Sequence, residues 1–468
     1  MNGFIGRKEE LKVLQDAFRS TQSAFIPIYG RRRVGKSELI LQFLKDKKGI
    51  YYCGKKAQAR IQIREFLQDA ALILEEPLLS DFAAEDWKSA LSAALSKWRN
   101  KHKCILVFDE FQWMVEHSPE LPSVIQELWD REWRKNGRIL LIVCGSFVGF
   151  MERTLLGKTS PLFGRRTAQI FLKPFNYRES AEFHPSYSLE DKARTYFICG
   201  GIPLYLKYFS PALSVEMNIL ENLLNQYAPL FQEPDFLLRE ELREIENYYA
   251  ILMTVASRST TNKEISQKTG IDTRALHYYL KQILELGYIS RRFPLTGKPP
   301  SPRDVRYILD DPLLRFWFRF VYPSTSYIIQ MGGERAFKDR IAPELESYFG
   351  LCFERLCREA LPYLYEKEGV KASFEIGEYW DKSIQIDVIG LRNDNWTDIC
   401  ECKWGIVRSS GEVERDLEQK ISIYPNPRNT TLCRRIFTRK PVPIKNLKHT
   451  NARWHRLKDL YPEPHSSK

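Results

Sequence analysis

Eight consecutive residues near the start of the chain have the types and spacing of a phosphate-binding loop. An apolar run at 24–29 precedes them and a helical pattern at 38–44 follows, so the loop joins a strand to a helix. Such a loop turns its backbone N–H groups around a phosphate chain at the positive end of the helix. We predict ATP binding, with Lys36 on the β/γ-phosphates and the Ser37 hydroxyl on Mg²⁺. The loop is Gly30-Arg31-Arg32-Arg33-Val34-Gly35-Lys36-Ser37, which matches GxxxxGK[ST].

Two carboxylates end the apolar strand predicted at 104–110. A continuous apolar run indicates a strand buried on both faces, as in a parallel sheet covered by helices, and ligands bind at the carboxyl edge of such sheets. Asp109 is positioned there to hold Mg²⁺ through a water, and Glu110 to polarise the water that attacks the γ-phosphate. The alternative is that two acidic residues simply end a strand. We assign no role to Gln112.

Further polar residues follow two later apolar strands. Ser146 comes after the run at 139–144, where it either senses the γ-phosphate or the attacking water, or forms a plain strand-to-loop turn. Arg165 and Arg166 lie in a turn ahead of the run at 168–172. Their planar guanidinium groups suit the neutralisation of charge on a transferring phosphoryl group, although a solvated surface pair fits the sequence equally well.

A second set of chemically capable residues lies in the last third of the chain. Because side chains alternate along a strand, Glu401 and Lys403 project on one face, and a neighbouring strand can place Asp387 beside them. Carboxylates so arranged can bind Mg²⁺ or Mn²⁺ against a scissile phosphate, while the lysine orients or deprotonates water. Lys420, in a charged helix downstream, could face the same cleft, but a solvated helix face is the favoured interpretation.

The two sets of candidate residues lie far apart in the sequence, which indicates separate domains. At 468 residues the chain is long enough for three or four domains. We predict an α/β protein that begins with a P-loop NTPase parallel sheet. Resemblance to known families implies that a helical lid follows this sheet, then a winged helix, then an α/β restriction-endonuclease-like domain. The region from the loop to Lys101 is predicted to be helical. The predicted parts are a core at 1–175, a lid at 176–245, a winged helix-turn-helix at 246–310, connecting helices at 311–342 and a nuclease-like domain at 343–468.

Composition adds weaker expectations about partners and location. The net charge of +12 favours a polyanionic partner, either nucleic acid or the nucleotide itself. No apolar run is long enough to span a bilayer, the N-terminus lacks a signal-like pattern, and the nine cysteines are scattered without metal-ligand spacing. We therefore expect a cytoplasmic protein with reduced cysteines and no membrane partner.

The predicted winged helix offers a surface for DNA. Its third helix would enter the major groove and present Arg274, His277 and Lys281, while cations of the wing contact phosphates. Aromatic residues crowd that helix, and winged helices also dock proteins. Nucleic-acid contact and protein docking therefore both remain open, with DNA favoured over RNA as the nucleic acid.

The first half of the chain resembles the archaeal-type ATPase family, in the STAND branch of the AAA+ P-loop ATPases. The resemblance implies that Ile5, Gly6 and Arg7 lie beside the adenine and that Pro203 belongs to a lid motif packed on the nucleotide. It also implies that Arg165 or Arg166 acts within the subunit or across to a neighbour in a homo-oligomer, and that hydrolysis is slow. The matching segments are 4–11, 30–37, 107–110, 162–166, 173–175 and 200–206.

The C-terminal third resembles the PD-(D/E)xK nuclease superfamily. Asp387 matches its aspartate, Glu401-Cys402-Lys403 its ExK tripeptide, and Glu354 its helix-borne glutamate, although Ile386 stands where the motif has proline. The resemblance implies a metal site formed by Glu354, Asp387 and Glu401. Two functions follow: an ATPase whose nucleotide state gates a metal-dependent nuclease, or an ATPase switch whose C-terminal half is an inactive docking module.

Overall fold

The computed structural model describes residues 3–258, 260–301, 304–442 and 451–462. The chain divides into two compact units, one of Met1–Pro174 with Ile202–Leu204 and the other of Phe175–Gly201 with Tyr205–Lys468. Residues 1 and 2 of the predicted core, 259, 302 and 303 of the predicted winged helix, and 443–450 and 463–468 of the predicted C-terminal domain lie outside the described residues.

The first unit contains a parallel five-stranded sheet in the order β2-β3-β4-β1-β5. Every residue of β1, β3 and β4 is buried, as expected for apolar strands that helices cover on both faces. Tyr29 pairs with Gly145, and Cys53 pairs with Asp109, so these strands end at one edge. The strands are β1 (Ala24–Tyr29), β2 (Gly49–Cys53), β3 (Cys104–Asp109), β4 (Ile139–Gly145) and β5 (Ile170–Phe171).

The prediction of helix from the loop to Lys101 is wrong at β2. This strand is short, and its burial alternates, with Ile50 and Tyr52 in the core and Tyr51 half-buried. Its hydrogen bonds to β3 supply the stability that its local sequence does not. The helices of this unit are α1 (Lys8–Arg19), α2 (Lys36–Leu44), α3 (Ala59–Leu74), α4 (Trp87–Ser96), α5 (Phe111–His117), α6 (Leu121–Leu128), α7 (Arg134–Asn136) and α8 (Val148–Met151).

The second unit is mainly helical as far as Lys367. One antiparallel pair of strands, β6 (Ile289–Arg292) and β7 (Arg306–Leu309), interrupts the helices. The first two residues of α11 (Pro203–Tyr208) belong to the first unit and the rest of this helix to the second. The other helices of the second unit are α9 (Tyr177–Ala181), α10 (Leu189–Cys199), α12 (Val215–Leu223), α13 (Pro229–Glu241), α14 (Ile245–Ala256), α15 (Asn262–Thr269), α16 (Thr273–Glu285), α17 (Pro312–Phe316), α18 (Thr325–Met331), α19 (Gly333–Ala336), α20 (Ala342–Lys367) and α21 (Ser410–Ile423).

The segment that follows β6 is docked on the C-terminal sheet. Leu295 donates its backbone N–H to the Glu378 carbonyl at 2.8 Å, and its side chain packs against Gly377. Arg306, on β7, lies with its guanidinium 4.3 Å from the ring centroid of Trp380. The predicted wing is therefore partly occupied in holding the sheet, whereas α16 leaves Arg274, His277 and Lys281 exposed.

The C-terminal sheet is mixed and has the order β12-β11-β10-β9-β8. β8, β9 and β10 are antiparallel neighbours, and β10, β11 and β12 are parallel. α20 and α21 both pack on β10, so that this strand is buried along most of its length instead of alternating between core and solvent. The strands are β8 (Phe374–Trp380), β9 (Gln385–Arg392), β10 (Trp396–Lys403), β11 (Thr431–Thr438) and β12 (Ala452–Arg456).

Candidate functional site

The backbone of the 30–37 loop depends on glycine at its first position. A Cβ atom at Gly30 would lie 2.3 Å from the Leu172 carbonyl oxygen, closer than any side chain permits. Further along, Arg33 and Gly35 have φ angles of 68° and 90°, in the left-handed region. The loop therefore holds a tight, strained curve directly before α2, as a cradle for phosphate groups requires.

Lys36 is folded back over this loop. It is buried, and its ammonium group donates to the carbonyl oxygens of Gly30 at 2.9 Å and Arg31 at 3.0 Å. Burial lowers the pKa of Lys36, an effect that the neighbouring carboxylates Glu110 and Asp109 partly oppose. The lysine head is thus already at the mouth of the loop, where a phosphate chain would meet it.

Ser37 and Asp109 meet at the carboxyl edge of the sheet, although 72 residues separate them. The Ser37 hydroxyl donates to Asp109 Oδ2 at 2.6 Å, and the Tyr51 hydroxyl donates to the same oxygen at 2.6 Å. Burial, followed by the Asp109 charge, raises the pKa of Tyr51, which keeps its proton on the phenol. A hydroxyl and a carboxylate are suitable protein ligands for Mg²⁺, which takes its other oxygens from phosphates and water. These residues therefore fit that ion.

Glu110 follows in a left-handed conformation with φ of 49° and caps the start of α5. Its carboxylate accepts a hydrogen bond from the Ser146 hydroxyl at 3.0 Å and another from the Gln112 amide. Gln112 also donates to Ser146 at 3.1 Å, which closes a triangle of three polar groups. The strand ends bring Glu110 and Ser146 together, and Gln112 links them.

Sequence reasoning missed Tyr51 and Gln112. Tyr51 is on the strand that was predicted as helix, so nothing placed its hydroxyl beside Asp109. Gln112 had one signal in the sequence, its position two residues after Glu110, and the structure adds that its side chain is buried. A buried amide needs hydrogen-bonding partners, and the nearest polar groups are those of the site.

Arg7 connects the loop to the segment that follows β5 through hydrogen bonds. Its guanidinium donates to the Val34 carbonyl at 3.2 Å and the Lys173 carbonyl at 2.8 Å, and the residue is buried with φ of 58°. Ile5 and Gly6 precede it and are half-buried. The Pro203 ring lies 3.7 Å from the position that a Cβ atom at Gly35 would take, so this proline packs on the loop itself.

The two turn arginines have different surroundings. Arg165 forms a bidentate ion pair with Asp130: its Nε donates to Oδ1 at 2.9 Å and its Nη2 donates to Oδ2 at 2.7 Å. It also donates to the Pro161 carbonyl. Arg166 lies close enough to Tyr29, the last residue of β1, for its positive charge to lower the pKa of that phenol against the larger raising effect of burial. Of the two, Arg166 is the one whose charge acts on the residue that directly precedes the loop.

In the second unit, Glu401 and Lys403 lie on one face of β10, and Lys420 reaches them from α21. Lys403 Nζ is 2.8 Å from Glu401 Oε1, and Lys420 Nζ is 2.6 Å from Glu401 Oε2. Asp387, on β9, accepts a hydrogen bond from the Cys402 backbone N–H at 2.9 Å. The structure therefore brings together the three residues that the sequence predicted, and it adds Lys420, for which a solvated position was favoured.

Glu354 completes the acidic group from α20. Burial, and then the charge of Asp387, raises the pKa of Glu354, and burial together with Glu401 raises the pKa of Asp387. Both shifts favour a protonated carboxyl in the absence of a balancing cation. Within the described residues, however, no group of three or more His, Cys, Asp or Glu side chains is arranged to hold a metal ion. In this arrangement Glu354, Asp387 and Glu401 do not form a ready metal site.

A cavity of about 620 Å³ adjoins this acidic group. It lies between α20 and α21 at the end of β10, where Lys403 forms part of its wall. The cavity is large enough for part of a polymer such as a nucleotide unit, and Lys403 connects its wall to the acidic group. Other residues of its wall are Glu346, Gly350, Trp404, Ile406 and Glu412.

Comparison with known proteins agrees with the first of these sites. A family described as "ATPase domain predominantly from Archaea" matches residues 4–209. An uncharacterised protein of Methanocaldococcus jannaschii is 31% identical over 429 residues, which cover 90% of this chain and 92% of that protein. The chain belongs to the archaeal-type ATPase family. Its loop at 30–37 and its Asp109–Glu110 pair lie within the matched ATPase domain.

Two further similarities extend this result. An uncharacterised ATP-binding protein of Methanocaldococcus jannaschii is 49% identical over 45 residues, 10% of this chain and 76% of that protein. The solved structure of a Walker-type ATPase of Pyrococcus abyssi covers 67% of this ATPase and 96% of its own chain, with a TM-score of 0.50 at 18% identity, and shows the shared fold.

A second family matches part of the C-terminal half of the chain. Residues 317–415 match a family described as archaeal and bacterial proteins of unknown function. No α-helix among the described residues of this ATPase is both long and apolar enough to cross a membrane.

Proposed function

We propose that the ATPase domain binds ATP with Mg²⁺ in the loop at 30–37 and hydrolyses it at Glu110. The observation that carries this proposal is the 2.6 Å hydrogen bond between Ser37 and Asp109, because it joins the phosphate-binding loop to the acidic strand end at one point. Glu110 lies beside that point, and Ser146 and Gln112 orient its carboxylate. These are the parts that hydrolysis of a phosphoanhydride needs.

Each residue then has a distinct task. Lys36 exchanges its two carbonyl partners for phosphate oxygens, and the loop N–H groups hold the same chain. Glu110 draws the proton of the attacking water, and Arg166 neutralises developing negative charge. Bound Mg²⁺, held by Ser37 and by Asp109 through water, would supply further positive charge at the phosphates. Ile5, Gly6, Arg7 and Pro203 shape the loop and its surroundings.

Replacing Lys36 with Ala tests this assignment. We expect ATP affinity to fall by about 100-fold, because the variant loses two or more charge-assisted hydrogen bonds to phosphate. Titration with a fluorescent ATP analogue measures the change. Lys45→Ala provides a matched control, since this exposed lysine lies just after the same helix. Tight ATP binding by Lys36→Ala, with affinity like that of the control, would show that the nucleotide binds elsewhere.

For the C-terminal domain we propose a restriction-endonuclease-like fold that cleaves nucleic-acid phosphodiesters, with ATP state controlling cleavage. The convergence of Asp387, Glu401 and Lys403 beside an open cavity supports this proposal. The exposed cations of α16 and the net charge of +12 suit a nucleic-acid partner, DNA before RNA. If Arg165 or Arg166 acts on the ATP of a neighbouring subunit, the active form is a homo-oligomer.

A specific observation favours the alternative, an inactive docking module. Both oxygens of Glu401 are bound to lysines, which leaves this carboxylate without a ready position for a metal. Such a domain would bind nucleic acid or protein through its fold alone, while the ATPase domain acts as a switch.

Incubation of plasmid DNA with the full chain, Mg²⁺ or Mn²⁺, and ATP distinguishes the two. Cleavage by the wild type and its loss in Asp387→Asn would support the nuclease, because the amide cannot replace the carboxylate charge. Lys36→Ala should remove only the dependence on ATP. Cleavage of equal extent by wild type and Asp387→Asn would attribute the activity to a contaminant and favour the docking module.

A further inference from the structure

Phe147 and Trp113 form an aromatic pair at the carboxyl edge of the ATPase sheet, and the site described above gives neither of them a role. Phe147 directly follows Ser146, and Trp113 directly follows Gln112. Their ring centroids lie 5.5 Å apart, with the ring planes nearly perpendicular at 86°. Edge-to-face packing of this kind holds both rings in place. The pair therefore adjoins the two residues that donate hydrogen bonds to Glu110.

Each of the two rings carries a cation. The Arg32 guanidinium carbon lies 5.3 Å from the centroid of the Phe147 ring, and the Lys56 ammonium nitrogen lies 4.2 Å from the centroid of the Trp113 ring. A positive group over an aromatic face is attracted by the π electrons of the ring, and the attraction grows as water is excluded. Arg32 and both rings are half-buried. Phe147 thus gives the Arg32 side chain a preferred position.

The same arginine is close to the ammonium group of Lys36. Arg32 is the third residue of the loop at 30–37, and the carbonyl of the residue before it accepts a hydrogen bond from Lys36 Nζ at 3.0 Å. Burial is the main cause of the lowered pKa of Lys36, and the Arg32 charge lowers it further. The Arg32 guanidinium is therefore near both the lysine that meets the phosphate chain and the strand end that carries Ser146.

A guanidinium in this position suits the last phosphate of ATP. Its planar fork can donate two hydrogen bonds to phosphate oxygens, and it stays charged at any working pH. A cation that contacts only the γ-phosphate favours ATP over ADP, and it also stabilises the negative charge that develops as this group is transferred. Because Arg32 belongs to the loop itself, it reaches the phosphates of its own chain.

We propose that Arg32 is a catalytic residue that binds the γ-phosphate of ATP within its own chain, and that Phe147 is the positioning residue that holds its guanidinium there. This inference rests on the proposed binding of ATP in the loop at 30–37. It makes the site sensitive to the third phosphate, because ADP offers Arg32 no γ-phosphate. Arg166 keeps the role proposed above, and the action of Arg32 requires no neighbouring subunit.

The affinities of the full chain for ADP and for AMP-PNP, a non-hydrolysable analogue of ATP, test the inference. We expect Arg32→Gln to bind AMP-PNP about tenfold more weakly in calorimetric titration, because a charge-assisted contact with the γ-phosphate is lost, and to bind ADP like the wild type. Its rate of ATP hydrolysis should fall by about 10²–10³-fold. Arg60→Gln is the matched control, because it removes one positive charge from an exposed position of α3 and should leave both affinities unchanged.

Phe147→Leu tests the positioning role separately. It keeps an apolar side chain but removes the aromatic face, so the affinity for AMP-PNP should fall by about threefold while the affinity for ADP is unchanged. If Phe147 acts only through Arg32, the double variant Arg32→Gln and Phe147→Leu should bind AMP-PNP like Arg32→Gln alone. Equal losses for ADP and AMP-PNP, or a loss that adds to that of Arg32→Gln, would overturn the positioning role.

A comparison with Lys36→Ala separates this inference from the proposed function. If Arg32→Gln binds AMP-PNP like the wild type while Lys36→Ala binds neither nucleotide, the inference is overturned and the ATP site in the loop stands. Wild-type binding of both nucleotides by Lys36→Ala would overturn the ATP site and the inference together. Retained ADP binding and the midpoint of thermal unfolding check that Arg32→Gln and Phe147→Leu are folded.

Discussion

Glu110→Gln is expected to lower the rate of ATP hydrolysis by about 10²–10⁴-fold while ATP affinity stays close to that of the wild type. The glutamine keeps the size of the side chain but cannot draw a proton from the attacking water. It also stays near Ser146 and Gln112, which now hold the Glu110 carboxylate. Single-turnover hydrolysis with radiolabelled ATP measures the rate, and a separate titration measures binding.

Gln112→Leu provides an internal comparison for this result. It removes the amide that donates to Glu110 and Ser146 but leaves the carboxylate in place, so the rate should fall by only about tenfold. The order wild type, Gln112→Leu, Glu110→Gln would support a base that its neighbours orient. A Glu110→Gln enzyme that hydrolyses ATP at the wild-type rate would show that another group activates the water.

The sequence was sufficient to predict the nucleotide site where local pattern and topology agree. The loop at 30–37 lies between an apolar strand and a helix, and the acidic pair ends a strand that is apolar throughout, so both ends of the Ser37–Asp109 contact could be anticipated. Tyr51 could not, because β2 is five residues long and is stabilised by pairing with β3. The alternation of apolar and polar residues extends over only five residues, which is too few to distinguish this strand from the helical pattern around it.

In the C-terminal domain the sequence pattern gave the residues but not their partners. Alternation along β10 correctly placed Glu401 and Lys403 on one face, as the 2.8 Å contact shows. The position of Lys420 depends on how α21 crosses the sheet, which no local pattern specifies. The same limit applies to Arg435, whose side chain is fully buried in β11 although no local pattern distinguishes it from its neighbour Arg434.

A buried ionic network around Arg435 holds the C-terminal sheet to α20. Arg435 Nε donates to Asp398 Oδ1 at 2.6 Å, and its two terminal nitrogens donate to Glu368 at 2.6 Å and 2.8 Å. The Tyr365 hydroxyl donates to the other Asp398 oxygen at 2.5 Å. Both Arg435 and Asp398 are fully shielded from solvent, and each is the nearest or joint nearest charge partner of the other. Arg392 is a more distant partner of Asp398, at 3.9 Å.

Arg435→Ala should therefore destabilise the protein by about 3–5 kcal/mol, because the buried Asp398 loses its nearest charge partner and keeps only Arg392, at 3.9 Å. The midpoint of thermal unfolding measures the loss. Arg434→Ala is the matched control: the neighbouring arginine pairs with half-exposed Glu418, and such surface pairs contribute about 0–1 kcal/mol. Combining Arg435→Met with Asp398→Asn should recover part of the loss, since no charge is then buried alone. If Arg435→Ala unfolds at the same temperature as Arg434→Ala, water must reach Asp398, and the network does not stabilise the sheet as argued.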